Sequence, residues 1–213
     1  MNIPPEPSDD EWSNTATHAL GIFIAIMGTI WMMSMVKDKS FGLILSCAVY
    51  CVSATLVFVF STLSHACMDP GRRTKMRAWD QGTIYLMISG SYTPFVWQYG
   101  GDLRTPLLVF LWVVALYGLW SKVVVRRKVN AVTVTTYLLL GWVPVVPLAM
   151  QVPNGCLLGM GLGGVIYSLG VYFLMFDHKG RFYHAVWHLS VIAAAACHYV
   201  VIVEYVVKSQ TPA

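Results

Sequence analysis

Tyr183-His184-Ala185-Val186-Trp187-His188 opens a largely apolar run that continues to Val207, whose one acidic residue, Glu204, lies near its exit. A helix needs about 20 predominantly apolar residues to cross a bilayer, and this run is long enough. On a helix, residues four apart share a face, so His184 and His188 present two imidazoles to one point. Two readings stand at this stage. The pair chelates a metal, or it is two interfacial histidines, one satisfied by water and one by a backbone carbonyl. Ionisable side chains in a bilayer are costly and mark functional sites, so the question becomes whether a third ligand reaches the same depth.

The rest of the chain is of the same kind. Hydrophobic residues make up 57% of its 213 residues and charged residues 11%, against about a quarter charged in soluble domains. Seven apolar stretches, at 15–36, 41–63, 79–99, 105–121, 130–150, 155–176 and 183–207, leave only short connectors. The expected fold is an all-α membrane protein, a seven-transmembrane helix bundle over 14–208 behind an acidic N-terminal tail at 1–13. That tail holds Glu6, Asp9, Asp10 and Glu11 and no basic residue. It therefore lacks the basic region of a signal peptide, and the first apolar run should stay in place as a helix. The formal charge of +4 is carried in short clusters between apolar runs. Such clusters set membrane orientation and exclude nucleic acid as a partner. Cys47, Cys51, Cys67, Cys156 and Cys197 are odd in number and unpaired in spacing, which reads as buried thiols and not a disulfide framework.

Polar residues punctuate these runs. Glu11, Asn14 and His18 fall on one helical face if the first helix begins that early, either as a stripe in contact with headgroups or as the lining of a polar site. Ser61 and His65 share a face at the end of the second stretch, and His65 is the candidate third ligand; Cys67 follows it as a weaker one. Asp69-Pro70-Gly71 reads as a turn in a solvated basic connector. Asp80 then stands at the start of the third stretch, where the simplest role for a carboxylate is N-terminal capping. Ser89-Gly90-Ser91-Tyr92-Thr93-Pro94 interrupts that helix pattern. Gly141, Pro144 and Pro147 predict a kink late in the fifth stretch. Gly159 and Gly163, four apart in the sixth, allow close helix packing.

The connectors at 66–78, 122–128 and 177–181 carry ten Lys or Arg, and the opposite side carries four, Lys37, Lys39, Arg104 and Lys208. The basic side is expected to be cytoplasmic, with the N-terminus there and the C-terminus outside. This alternation brings His65, Asp80, His184 and His188 to one leaflet. Three imidazoles with a nearby carboxylate fit the common zinc pattern. His198 lies about 15 Å beyond His188 along a helix and cannot join them; His178 sits in a loop.

The residues Glu11-x-x-Asn14-Thr15-x-Thr17-His18, Ser61-x-x-x-His65, Asp80, Gly90-Ser91-Tyr92-Thr93-Pro94-Phe95, Gly163-Gly164-x-x-Tyr167 and His184-Ala185-Val186-Trp187-His188 together resemble the hemolysin III family. That family is related to the progestin and adiponectin receptors and, more distantly, to the alkaline ceramidases. The resemblance runs from Glu11 to Tyr205. It implies a seven-helix bundle in which His65, His184 and His188 hold Zn2+, with Asp80 and Ser61 beside them. Ser64 departs from the pattern, since many members have tyrosine before the histidine. Three imidazoles leave zinc's fourth position open, so Asp80 is the candidate general base and Ser61 the candidate donor to an oxyanion. The ceramidase relatives suggest hydrolysis of a lipid amide reached from the membrane. The receptor relatives suggest instead a non-catalytic regulator with a structural zinc. Pore formation, the third reading, finds no charged stripe along a helix to line a channel. Membrane lipids are the expected partners, and the plasma (inner) membrane the expected location of this multi-pass chain.

Overall fold

A computed structural model describes residues 9–127 and 129–209. Glu6 and the rest of the N-terminal tail up to Ser8, together with Lys128 and residues 210–213, lie outside the described residues. Every regular element among the described residues is helical. The long helices are α1 (Asp9–Val36), α2 (Phe41–Ala66), α3 (Pro70–Tyr99), α4 (Arg104–Val123) and α5 (Ala131–Trp142). A single turn, α6 (Val145–Leu148), then leads to α7 (Asn154–Met175) and α8 (Tyr183–Ile202), which runs on as a π-helical turn over Val203–Val207. Among the described residues, six segments are long and apolar enough to cross a bilayer: Asp10–Val36, Phe41–Ala66, Gly101–Val123, Ala131–Leu148, Asn154–Met175 and Tyr183–Val207.

The exception is α3: Arg72, Arg73, Lys75 and Arg77 stand on its exposed or half-buried first turns, and the polar residues further along are enclosed by the bundle. It lies against α2 and α4 and also touches α5 and α8, and the stretch from Ser89 to Val96 is buried without a gap. A helix enclosed by protein on most sides has no need of a lipid-compatible surface. Its start corrects the sequence reading. Asp69 accepts from Arg72 N at 2.7 Å and Pro70 takes the first helical position, an N-cap and N1 pair that begins a helix instead of making a loop turn. Asp80 therefore sits inside the helix and caps nothing. The expected interruption at Ser89–Pro94 is also bridged: Ser91 and Thr93 donate to the carbonyls of Met87 and Ser89 at 2.8 Å, and α3 continues through Pro94. The kink late in the fifth stretch is present as the step from α5 to α6. Lys122, expected in a basic connector, is instead buried at the end of α4, with Nζ donating to Thr133 Oγ1 at 2.7 Å.

Two apolar cores fill the bundle. The larger joins the C-terminal halves of α1 and α3 to the start of α2 and the end of α8, through Met32, Leu43, Phe95 and Ile202. The smaller surrounds Phe58, Met87, Val171 and Trp187. The α7–α8 pair closes through glycine: a Cβ on Gly159 would lie 2.4 Å from Val201 Cγ2, and one on Gly163 2.3 Å from His198 Nε2. Gly159→Ala is therefore expected to cost about 1–3 kcal/mol, the scale of overpacking, read as a lower melting temperature in detergent. A Cβ on Gly161 would meet nothing within 4 Å outside its own helix backbone among the described residues, and Gly161→Ala should leave the melting temperature unchanged. Equal melting of the two variants would contradict the close approach of α7 and α8.

Candidate metal centre

Three helix ends meet at one end of the bundle. His65 lies in the last turn of α2, and His184 and His188 lie in the first two turns of α8. Phe182, in a left-handed backbone conformation (φ 64°), turns the chain sharply into α8. The ligand atoms of the three histidines all lie within 4.8 Å of one another. Their rings are 4.6–5.1 Å apart between centroids and steeply tilted. Imidazoles brought this close edge to face direct their nitrogens toward a shared point.

Each ring is held from behind by a different partner. His65 Nδ1 is 2.7 Å from Glu11 Oε2, and His184 Nδ1 is 3.4 Å from Asp177 Oδ2. His188 Nδ1 lies 3.2 Å from the Asn14 carbonyl and 3.1 Å from Thr17 Oγ1. An acceptor at Nδ1 places the proton there and leaves the Nε2 lone pair for a metal, the arrangement that supports histidine ligands generally. His65 Nε2 is buried and meets no hydrogen-bond partner among the described residues. A buried nitrogen of that kind is open to a metal ion or a hydrogen-bond donor. The donor set therefore fits a borderline-soft cation such as zinc.

The supports are themselves anchored. Glu11 pairs with Arg73 and lies 3.7 Å from Arg77, which ties the start of α1 to the first turns of α3 and to His65. Asp80 is bracketed by the hydroxyls of Ser61 and Ser64, with Ser64 donating at 3.3 Å. The serine that departs from the family pattern thus supplies a contact to the carboxylate. The three histidines, Glu11, Asn14, Arg77, Ser61, Ser64, Asp80 and Asp177 border one cavity of about 700 Å³, whose walls come mainly from α3, α5, α7 and α8 and which extends inward as far as His198.

Of the residues singled out in the sequence, His65, His184 and His188 come together, and Ser61 and Asp80 share their cavity. Glu11, Asn14 and His18 line it too, because α1 begins at Asp9 and holds them on one helical face. Cys67 forms the C-cap of α2 and stands outside the histidine cluster. His178 is 69% exposed, and His198 is engaged with the Met160 carbonyl at 3.2 Å. Asp177, Arg73, Arg77 and Thr17 were not foreseen as supports. Thr17 could have been found, since it follows Asn14 by three residues on the face it shares with His18. Asp177 carries no local signal, because its loop reaches His184 only through the fold.

The family model described as "Haemolysin-III related" matches residues 8–199. The chain is 32% identical to "Hemolysin-3" of Bacillus cereus over 94% of its own length and 93% of the relative's. It is 28% identical to "Hemolysin-3 homolog" of Bacillus subtilis (strain 168), over 93% and 95%. It is 30% identical to the human "Monocyte to macrophage differentiation factor", over 93% and 85%.

Proposed function

We propose, from the premise that the chain belongs to the haemolysin-III-related family of multi-pass membrane proteins, that it is a seven-span zinc protein hydrolysing an amide bond in a membrane lipid. The observation that carries this reading is a set of three imidazoles, each engaged at Nδ1, beside a cavity that also holds a carboxylate. A purely structural zinc usually has four protein ligands, whereas catalytic sites keep three. His65, His184 and His188 would hold the ion. Bound there, zinc supplies Lewis acidity toward a carbonyl and makes water acidic near neutral pH. The chain's own groups complete the chemistry. Asp80 accepts the proton of the attacking water and returns it to the departing nitrogen, and Ser61 donates to the oxyanion as the C–N bond gives way to a carboxylic acid and an amine. Val57, Met87, Val134, Val171 and Trp187 line the apolar part of the cavity, which suits an acyl chain. Purified protein is expected to release fatty acid from an acyl-amide lipid such as a ceramide, and to stop when zinc is removed. Zinc-loaded protein with no turnover on any acyl-amide lipid would overturn the hydrolase reading.

A second reading keeps the metal and drops the reaction. One ligand comes from α2 and two from α8, so the same ion would staple those helices in a non-catalytic regulator.

The span count and orientation belong to the same proposal. With α3 as the seventh span, the metal end of the bundle carries Arg72, Arg73, Lys75, Arg77, Arg126, Arg127, Lys179 and Arg181. That excess supports a cytoplasmic location for this end, with the plasma (inner) membrane as the proposed membrane. Reporter fusions at the N-terminus and after Arg126 are expected to report cytoplasm, and one at the C-terminus the outside. A cytoplasmic C-terminus would remove both the seventh span and the shared leaflet.

A further inference from the structure

A fourth imidazole stands at this site without any assigned role. His18 is 2% exposed and stacks on His188, with ring centroids 3.7 Å apart and planes 23° from parallel. Its other side meets the edge of Phe58 at 5.3 Å. Neither ring nitrogen has a hydrogen-bond partner among the described residues. The His188 backbone is near enough to act on the ring but stands outside hydrogen-bonding geometry. His18 differs in this from the three clustered histidines, each of which has a partner at Nδ1.

Packing alone does not account for that arrangement. A phenylalanine would fill the space between Phe58 and His188 without burying two polar nitrogens, and an unpaired polar group in a membrane bundle is costly. A fourth coordinating ring does not account for it either. A ligand nitrogen binds along its in-plane lone pair, and near-parallel stacked rings direct their lone pairs side by side instead of at one point. His18 consequently stands next to whatever the three histidines hold, at the wall of the cavity.

We propose that His18 is a ligand-binding residue of this site, its ring N–H donating to an acyl or carboxylate oxygen held at the three histidines. The inference rests on the metal reading above and adds the class of group recognised, an oxygen acceptor on an acyl compound. The occupied site would satisfy one of the two buried nitrogens.

The test uses the full-length protein in detergent loaded with Co2+, whose visible absorption reports both metal and ligand, and acetohydroxamate as the probe. His18→Phe retains the stack on His188 and removes the donor. It should bind one Co2+ with the wild-type spectrum, yet hold acetohydroxamate about 10-fold or more weakly, the scale of a lost hydrogen bond to a charged group. His18→Gln, which keeps an N–H, should recover most of that affinity. His18→Leu serves in place of His18→Phe if the latter cannot be purified. Co2+ bound normally with unchanged acetohydroxamate affinity in His18→Phe would overturn the role of His18 while leaving the metal site in place. Wild-type protein that binds no Co2+ would overturn both.

Discussion

Purified protein is expected to carry about one zinc per chain, and His65→Ala, His184→Ala or His188→Ala to lose it. The loss should exceed the roughly 10- to 100-fold weakening that follows removal of a supporting hydrogen bond, because each substitution deletes one of three donors. His178→Ala and His198→Ala should leave zinc content unchanged. The first removes an exposed loop ring, and the second a ring already engaged with the Met160 carbonyl. Metal analysis after dialysis against a weak chelator reads the difference. Full occupancy in a His65→Ala, His184→Ala double variant would sink the assignment, since it leaves one candidate ring.

The second large effect is expected at Asp80. Asp80→Asn keeps the volume and can still accept from Ser64, but it no longer takes a proton. Zinc should be retained and hydrolysis of an acyl-amide lipid should fall by about 10² or more, the usual scale for a lost general base. The comparison is made at saturating zinc, so that any weakening of the metal is not counted as lost chemistry. Turnover retained in the zinc-loaded variant would leave hydrolysis standing and remove Asp80 from it. A wild-type protein with zinc and no turnover, paired with an Asp80→Asn form altered only in melting temperature, would favour the helix-stapling reading.

The supports of the metal centre link these effects to the fold. Glu11 bonds His65 and pairs with Arg73, so the start of α1, the end of α2 and the start of α3 are held by one carboxylate. Charge-assisted contacts of this kind are strong where water is scarce.

Amino-acid order alone determined that this is a helical membrane protein, because apolar runs of spanning length are a local property of the chain. It also determined that His184 shares a face with His188 and Ser61 with His65, because a helix repeats every 3.6 residues whatever surrounds it. Local order misread α3. Composition pointed to a start near Trp79, but the chain enters the helix at the Asp69–Pro70 cap, and the basic residues from Arg72 to Arg77 resemble a loop because they stand on exposed and half-buried first turns. The partners of the imidazoles were decided by tertiary structure. Glu11 and His65, or Asn14 and His188, are far apart in the chain and meet only where the ends of α1, α2 and α8 pack together. Asp177 reaches His184 through a loop whose path no periodicity encodes. Hydrogen-bond direction at a histidine depends on what stands behind the ring, and that is a property of the assembled bundle.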